Sequence, residues 1–556
     1  MENRVSHNPL NGRFTIAGLR SQKGRDAHRC CSAESGTGNS YEDAISQKDS
    51  NYWSVTEYNS NNAWNVNFNS GNVNNNNKYN TNNVVRPVAA FGGLSIPFYE
   101  SVLDAYRDCL RGKMTSPQAV QYMQIADRDL VNLAVELWTG TYKPGTSTCF
   151  LVKYPKLREV FAANFRDRVV HHWVCMRLNP LFEERFISQG NVSFNCRRGY
   201  GTDKAVRHVA DGMCRVSDNY RKEAWVFRGD LVGFFMSIDK DLLWYRLERF
   251  ILRWKKRLER DGFVRLCKVD LELLRLEQMP TMYWDILLRT TEIIVKHHPE
   301  SDCILNSPAE WWHGLDKNKS LFTSPTGEPI GNLTTQLFAN FLMSYFVTYV
   351  QFLFRRKNYC MAQFVDDFVI VCDDEKFILE TIPKLEYFLT HTQRLKLHKD
   401  KRYFQPVSHG LLFVGTYIKP GRLYLSNRTR ARFEERCNGF RSMMEKRDLN
   451  ILDVKRMEQV INSYLGFCKG RQTYAFRREA IEGMGPEFWK YFYVKGHFES
   501  IRARKEYREI KLPLREERYL YPSRMLVVRE CNGQLIFEFE NYERDSDRET
   551  AKGRSE

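Results

Sequence analysis

Gln363-Phe364-Val365-Asp366-Asp367-Phe368-Val369-Ile370-Val371 is the stretch on which the fold of this chain turns. Two apolar, β-rich runs flank an Asp pair, a pattern that predicts a hairpin with both carboxylates at its tip. Asp is also a good turn residue, so a solvated turn is the plain alternative. A second acid shifts the balance. Asp230 follows Trp225-Val226-Phe227 and precedes Leu231-Val232-Gly233-Phe234-Phe235. It therefore ends an apolar strand, where burial is costly without a cation or a partner such as Arg228. An Asp at a strand end together with an Asp pair on a hairpin is what a two-metal phosphoryl-transfer site requires. Two divalent ions a few ångströms apart need several oxygen ligands from carboxylates and substrate phosphates, an arrangement that Mg²⁺ prefers.

The rest of the chain bounds the reading. Its 556 residues, 42% hydrophobic and 27% charged, fit a largely globular protein of several domain-sized units. Lys and Arg number 84 against 67 Asp and Glu, a net charge of +17. The stretch before Ile96 holds nine basic and seven acidic residues, so +15 of the excess lies beyond it. A folded body with that surplus points to a polyanionic partner, nucleic acid first and anionic membrane second. The fourteen cysteines run from Cys30 to Cys531 with no Cys-x-x-Cys pair, which argues against zinc ribbons and for reduced thiols. MENRVSHNPLNGRF has no apolar signal core, and a cytoplasmic location is expected. Pro329 to Phe354 carries no charge and exceeds a bilayer span. Asn332, Thr334, Thr335, Gln336, Asn340, Ser344 and Gln351 interrupt it, so a buried helix of a large domain is expected and no membrane segment.

Residues 1–50 are polar and read as disordered. Asn fills 15 of the 33 positions from Asn51 to Asn83, punctuated by Trp53, Trp64, Phe68 and Gly71 in a strand-like rhythm. From Ile96 the sequence is continuous α+β. Amphipathic helices are predicted in SVLDAYRDCLRGK and in DRDLVNLAVELWTG, the second ended by Gly140. AWVFRGDLVGFF and MAQFVDDFVIVC read as strands. Residues 427–483 are helical and basic, and DSDRETAKGRSE is a solvated tail.

This set resembles the palm of a reverse transcriptase. Asp230 matches the first metal-binding motif, and Phe364-Val365-Asp366-Asp367 stands where the family carries Tyr-x-Asp-Asp. YPKLREVFAANFRDRVVHH (154–172) and GNVSFNCRRGYGT (190–202) resemble finger blocks. KLHKDKRYFQPVSHGLLFVGTYI (396–418) resembles the end of the palm, and INSYLGFCKGRQTYAFRR (461–478) a thumb. Many reverse transcriptases, including those of group II introns and retrons, have Gln-Gly followed by Ser-Pro between the Asp motifs. This chain has Ile330-Gly331-Asn332-Leu333-Thr334-Thr335-Gln336, similar to the enzymes of diversity-generating retroelements, which copy a template RNA with errors at adenine.

The resemblance implies a right-hand α+β polymerase: fingers and palm over 96–425, a helical thumb over 426–484 and an extension over 485–556. It implies Asp230, Asp366 and Asp367 as catalytic, metal-ligating residues, with Leu231 in the metal set and two Mg²⁺ ions, for which Mn²⁺ could substitute. The second Asp of such pairs often supports rather than ligates. Phe235 would lie under the sugar and favour dNTP over NTP, the alternative being a core aromatic. Lys156 and Arg158 would meet the triphosphate, a surface salt bridge being their plain alternative. Gly331 and Gln336 would touch substrate, and Lys401, in competition with Lys399, would protonate the leaving pyrophosphate. Template RNA, an RNA/DNA duplex, dNTPs and a small basic oligomeric accessory protein are the implied partners. Phe364 in place of Tyr keeps the ring and loses a hydroxyl, and Thr335 stands for a frequent Ser. Glu328 stands where the family tends to have an apolar residue.

The block from Trp53 to Phe91 resembles the closing segment of C-type-lectin-fold proteins related to formylglycine-generating enzymes, the variable region in diversity-generating systems. Asn is encoded by AAC or AAT, and randomising the two adenines yields most amino acids and never a stop. Residues 51–91 therefore read as a template repeat translated in frame, within a 51–95 segment dispensable for catalysis. A sugar- or protein-binding module is the rival, weakened because forty residues cannot bury a core. For the whole chain, a defence-associated or retron-type reverse transcriptase and a non-catalytic nucleic-acid-binding scaffold are the alternatives.

Overall fold

The computed structural model describes residues 94, 96–114, 116–153, 156–261, 281–315 and 320–508, together with the backbone of the strands Arg13–Thr15, Asn51–Glu57, Asn62–Asn67, Val73–Asn77, Asn83–Val84, Arg524–Cys531 and Gln534–Asn541. The disorder expected over 1–50, apart from Arg13–Thr15, and the solvated tail lie outside the described residues.

The chain is α+β. Its centre is an antiparallel sheet of β1 (Trp225–Asp230), β2 (Tyr359–Phe364), β3 (Asp367–Cys372) and β4 (Tyr403–Pro406), in the order β2-β3-β1-β4. Successive side chains of a strand point to opposite faces, and here both faces are covered. Phe227, Met361, Phe368 and Ile370 join the largest hydrophobic core. Val226, Ala362, Val369 and Val371 join a second one built on the helix Thr202–Val216. Gly229 permits this packing, since a Cβ there would fall 2.4 Å from the Phe368 ring.

The strand predicted through Phe235 stops at Asp230. Gly233 takes φ +51° and turns the chain into a short helix, Phe234–Ser237. An apolar run cannot by itself distinguish strand from helical turn.

Helix α1 (Phe165–Ser188) packs against α2 (Leu333–Phe354) within the main core. Helices Ile96–Leu110 and Ala126–Thr139 cover the two sequences predicted to be helical, and Gly140 caps the second at φ +79°. Helix α2 is long and apolar enough to cross a bilayer, yet 67% of its most apolar window is buried inside the protein. Its polar side chains face protein partners. The Thr334 hydroxyl lies 2.7 Å from His171 Nδ1, Ser344 Oγ accepts from Arg185 Nε at 2.6 Å, and Gln351 donates to the Gln189 carbonyl at 2.6 Å.

A smaller sheet joins Arg158–Ala162, Ser147–Val152 and Cys303–Leu305. Beyond the central sheet, the strands Leu411–Phe413, Thr416–Lys419 and Arg422–Leu425 lead into the helices Asn427–Lys446, Ile451–Cys468 and Tyr474–Glu482. These helices share a separate core that runs from Leu425 to Ala503 and takes in the hairpin Phe492–Lys495 with Ser500–Ala503. The Asn-rich segment forms four strands in the order 73–77, 62–67, 51–57, 83–84. All ten described cysteines are free thiols.

Candidate active site at the edge of the central sheet

The antiparallel register puts Asp367 directly opposite Asp230, and Phe364 opposite Asp367. Val365 and Asp366 are thus the two turn residues of the hairpin. Asp230 and the Asp366-Asp367 pair, far apart in sequence, share one end of the sheet.

Their surroundings differ. Asp367 is held by a bidentate pair with Arg228, Oδ1 to Nε at 2.8 Å and Oδ2 to Nη2 at 2.7 Å, both side chains largely buried. The cross-strand partner of Arg228 is Val369, so the two charges lie two residues apart on one face. Arg228 thus pairs with Asp367 rather than with Asp230. Asp230 instead meets Lys401, Nζ to Oδ2 at 2.9 Å. Burial pushes the Asp366 carboxyl up to about 6, the charges of Asp230 and Asp367 add to the shift, and Arg158 opposes it. Asp367 is raised as well, by burial first, against the pull of Arg228.

Three carboxylates at one sheet edge offer the oxygen donors that a hard divalent cation takes, although Arg228 and Lys401 already pair with two of them. Asp230 and Asp366 carry the carboxylate oxygens that Mg²⁺ prefers. Among the described residues no group of three His, Cys, Asp or Glu side chains stands ready to hold a metal, and Asp367 is engaged by Arg228. Leu231 has its side chain in the core and pairs with Leu397 in an isolated bridge, which leaves only its carbonyl as a ligand atom.

Of the other predicted residues, Lys401 touches an acid of this edge and the charge of Arg158 reaches one. Arg158 is exposed at the start of its strand, and its charge reaches Asp366. Lys156 is exposed two residues earlier. Lys401, not Lys399, makes the contact with Asp230. Phe235 is half-buried, packed against Phe234 at 5.3 Å and bordering a small core of Cys149, Phe161, Met236 and Leu321. Gly331 has a structural reason to be glycine: at φ +129°, a Cβ would fall 2.4 Å from the Phe161 carbonyl oxygen. Its neighbour Ile330 accepts from Phe161 N at 2.7 Å, so this loop lies on the strand Arg158–Ala162. Gln336 is exposed, and its Oε1 accepts from Cys196 Sγ at 3.1 Å.

Glu328, the departure from the family pattern, is fully buried behind Phe235. Its N–H donates to the Phe235 carbonyl at 2.8 Å, its Oε1 has no partner, and burial pushes its carboxyl up to about 8, with Lys240 opposing.

Sequence reasoning missed what holds the hairpin tip. Val365 adopts φ +58°, a conformation that costs a β-branched residue roughly 1–3 kcal/mol. Its N–H donates to Asn195 Oδ1 at 2.9 Å, and its carbonyl accepts from Gln363 Nε2 at 2.6 Å. Ser193 Oγ lies 2.5 Å from Gln363 Oε1 and 2.6 Å from Asn340 Oδ1, and Asn340 Nδ2 donates to the Asn195 carbonyl at 3.2 Å. All four polar residues are buried. The available signal was the insertion of Asn340 in an apolar helix.

No protein-family model matches the chain, and no curated protein does. Among solved structures, apo telomerase from Candida tropicalis, truncated from its C-terminal domain, is similar over 50% of this chain and 55% of its own, with 10% identity and a TM-score of 0.34. Telomerase from Candida albicans in complex with a TWJ fragment of telomeric RNA is similar over 63% of this chain and 61% of its own, with 10% identity and a TM-score of 0.36. The chain spans less than two thirds of either structure. A likeness at that level carries no weight for function.

Proposed function

We propose that this chain is an RNA-dependent DNA polymerase, a reverse transcriptase with fingers, palm and thumb, that copies a template-repeat RNA into cDNA with adenine-directed errors. The observation that carries the reading is the sheet edge where the register brings Asp230 opposite Asp367, with Asp366 beside them in the turn. Asp230 and Asp366, with the Leu231 carbonyl, would hold Mg²⁺ or Mn²⁺, and Asp367 supports them through Arg228. When bound, the ions supply charge neutralisation at the phosphates and activation of the primer hydroxyl. Arg158 and Lys156 meet the triphosphate of an incoming dNTP, and Phe235 lies under its sugar. The contact of Lys401 with Asp230 supports its role as proton donor to the departing pyrophosphate. Gln336 faces the nascent pair from the N-terminal turn of α2. The basic helices after Asn427 track the duplex, and a small basic accessory protein is the expected partner. The template-directed part of the reading rests on the Ile330-to-Gln336 pattern and the asparagine block.

Primer extension on the cognate template RNA tests it. Asp366→Ala and Asp230→Ala should abolish synthesis while RNA binding is retained, and undiminished synthesis in either sinks the assignment. Sequencing the cDNA decides the rest. Errors concentrated opposite template adenines support diversification, whereas faithful cDNA leaves a retron- or defence-type polymerase. No cDNA under any condition points to a nucleic-acid-binding scaffold.

A further inference from the structure

We infer that Asn195 is a positioning residue for catalysis: it holds the strained Val365 peptide, and through it the direction of the Asp366 carboxylate. The inference rests on the polymerase reading of the site and adds a device that the metal-binding motifs do not contain. A two-residue hairpin turn with φ above zero at its first position is normally given to glycine, which reaches that region without steric cost. This chain has valine there, at φ +58°. Such a conformation persists only where the surroundings over-determine it.

Here they do so at both main-chain groups of the residue. Asn195 takes the N–H of Val365 and Gln363 takes its carbonyl, at 2.9 and 2.6 Å. Neither holder is free to turn away. Asn195 is fixed through its own carbonyl by Asn340 of α2, and Gln363 is fixed through its Oε1 by Ser193. Because these groups are buried, water cannot replace a lost bond at little cost. Their burial also keeps them from touching primer, template or nucleotide, so their effect passes through Val365. Asn195 holds the peptide entering Val365 and Gln363 the one joining it to Asp366, so a rotation at Val365 re-aims the carboxylate that completes the site.

Asn195→Ala and the double variant Asn195→Ala with Val365→Gly separate this role from mere packing. The readouts are steady-state primer extension, RNA–DNA duplex affinity and amide hydrogen exchange of the 359–372 hairpin. Asn195→Ala should keep duplex affinity and the KM for dNTP, lose kcat on the order of 100-fold, and speed exchange at Val365 while the flanking strands stay protected. Glycine at 365 reaches the same turn without help, so the double variant should regain most of the lost kcat. A wild-type kcat in Asn195→Ala, or a loss that Val365→Gly leaves untouched, overturns the proposal. Should Asn195→Ala fail to fold, Val365→Gly alone decides, because it should retain most of the activity and a collapse there counts against turn geometry. If the wild-type chain makes no DNA at all, the polymerase reading falls. Exchange alone then judges the device, and unchanged protection of Val365 in Asn195→Ala overturns it.

Discussion

At the scale of single residues, the least expected side chain is Glu328. It lies in the interior with an unpartnered oxygen, and burial holds its carboxyl near 8 against an ordinary 4.5. Below pH of about 4.5 the group is protonated in folded and unfolded chains alike, so its ionisation has no effect on stability. Between about 4.5 and 8 the unfolded chain ionises while the folded one does not, so unfolding releases a proton and stability falls as pH rises. Above about 8 the loss levels off. Glu328→Met should remove that slope, equalling or slightly exceeding wild type at pH 5 and exceeding it by roughly 3–5 kcal/mol near pH 8.5. Urea melts at the two pH values check this, and parallel pH profiles for both proteins would refute it. Arg228 shows a different lesson at this scale. The sequence offered it to Asp230, but strand register decided for Asp367, and register depends on pairings between segments some 140 residues apart.

At the scale of elements, the loop before α2 and the strand Arg158–Ala162 are locked by the absence of one methyl group. Gly331→Ala should destabilise the protein by roughly 2–4 kcal/mol, because positive φ and a clash with the Phe161 carbonyl act together. It should also weaken dNTP binding, since the same strand carries Arg158. Chemical denaturation and KM measurements test both, and a silent substitution would show that the strand can yield. What was legible at this scale follows from locality. The hairpin of β2 and β3 announces itself through two apolar runs around an acid pair, and the buried helix through an uncharged stretch too polar for lipid. The network around Val365 had no such local pattern beyond Asn340, a polar interruption of an apolar helix. Ser193, Asn195, Asn340 and Gln363 are ordinary polar residues until folding gathers them, and no period of 2 or 3.6 links them. The strand expected through Phe235 failed because its apolar run continues across a glycine whose left-handed turn only packing requires.

For the whole molecule, the surplus of +15 beyond Ile96 predicts RNA binding that weakens steeply with salt. A chain lacking residues 1–94 should keep its primer-extension activity and its slope of log affinity against log salt, even though it loses the strand Arg13–Thr15 that pairs with Gln534–Asn541. Activity lost in a truncated chain that still folds would instead make the asparagine-rich sheet part of the enzyme. The same scale gives the Arg228 guanidinium a further meaning. While two of its nitrogens grip Asp367, Nη1 donates to the Leu412 carbonyl at 2.7 Å, in the strand that begins the passage to the helices after Asn427. The carboxylate is therefore moored to the strand Leu411–Phe413, whose Leu411 and Phe413 share a core with the central sheet. A displacement of Leu412 by one ångström must either snap that line or tug the acid with it, so strain in the neighbouring sheet reaches the edge where the acids sit.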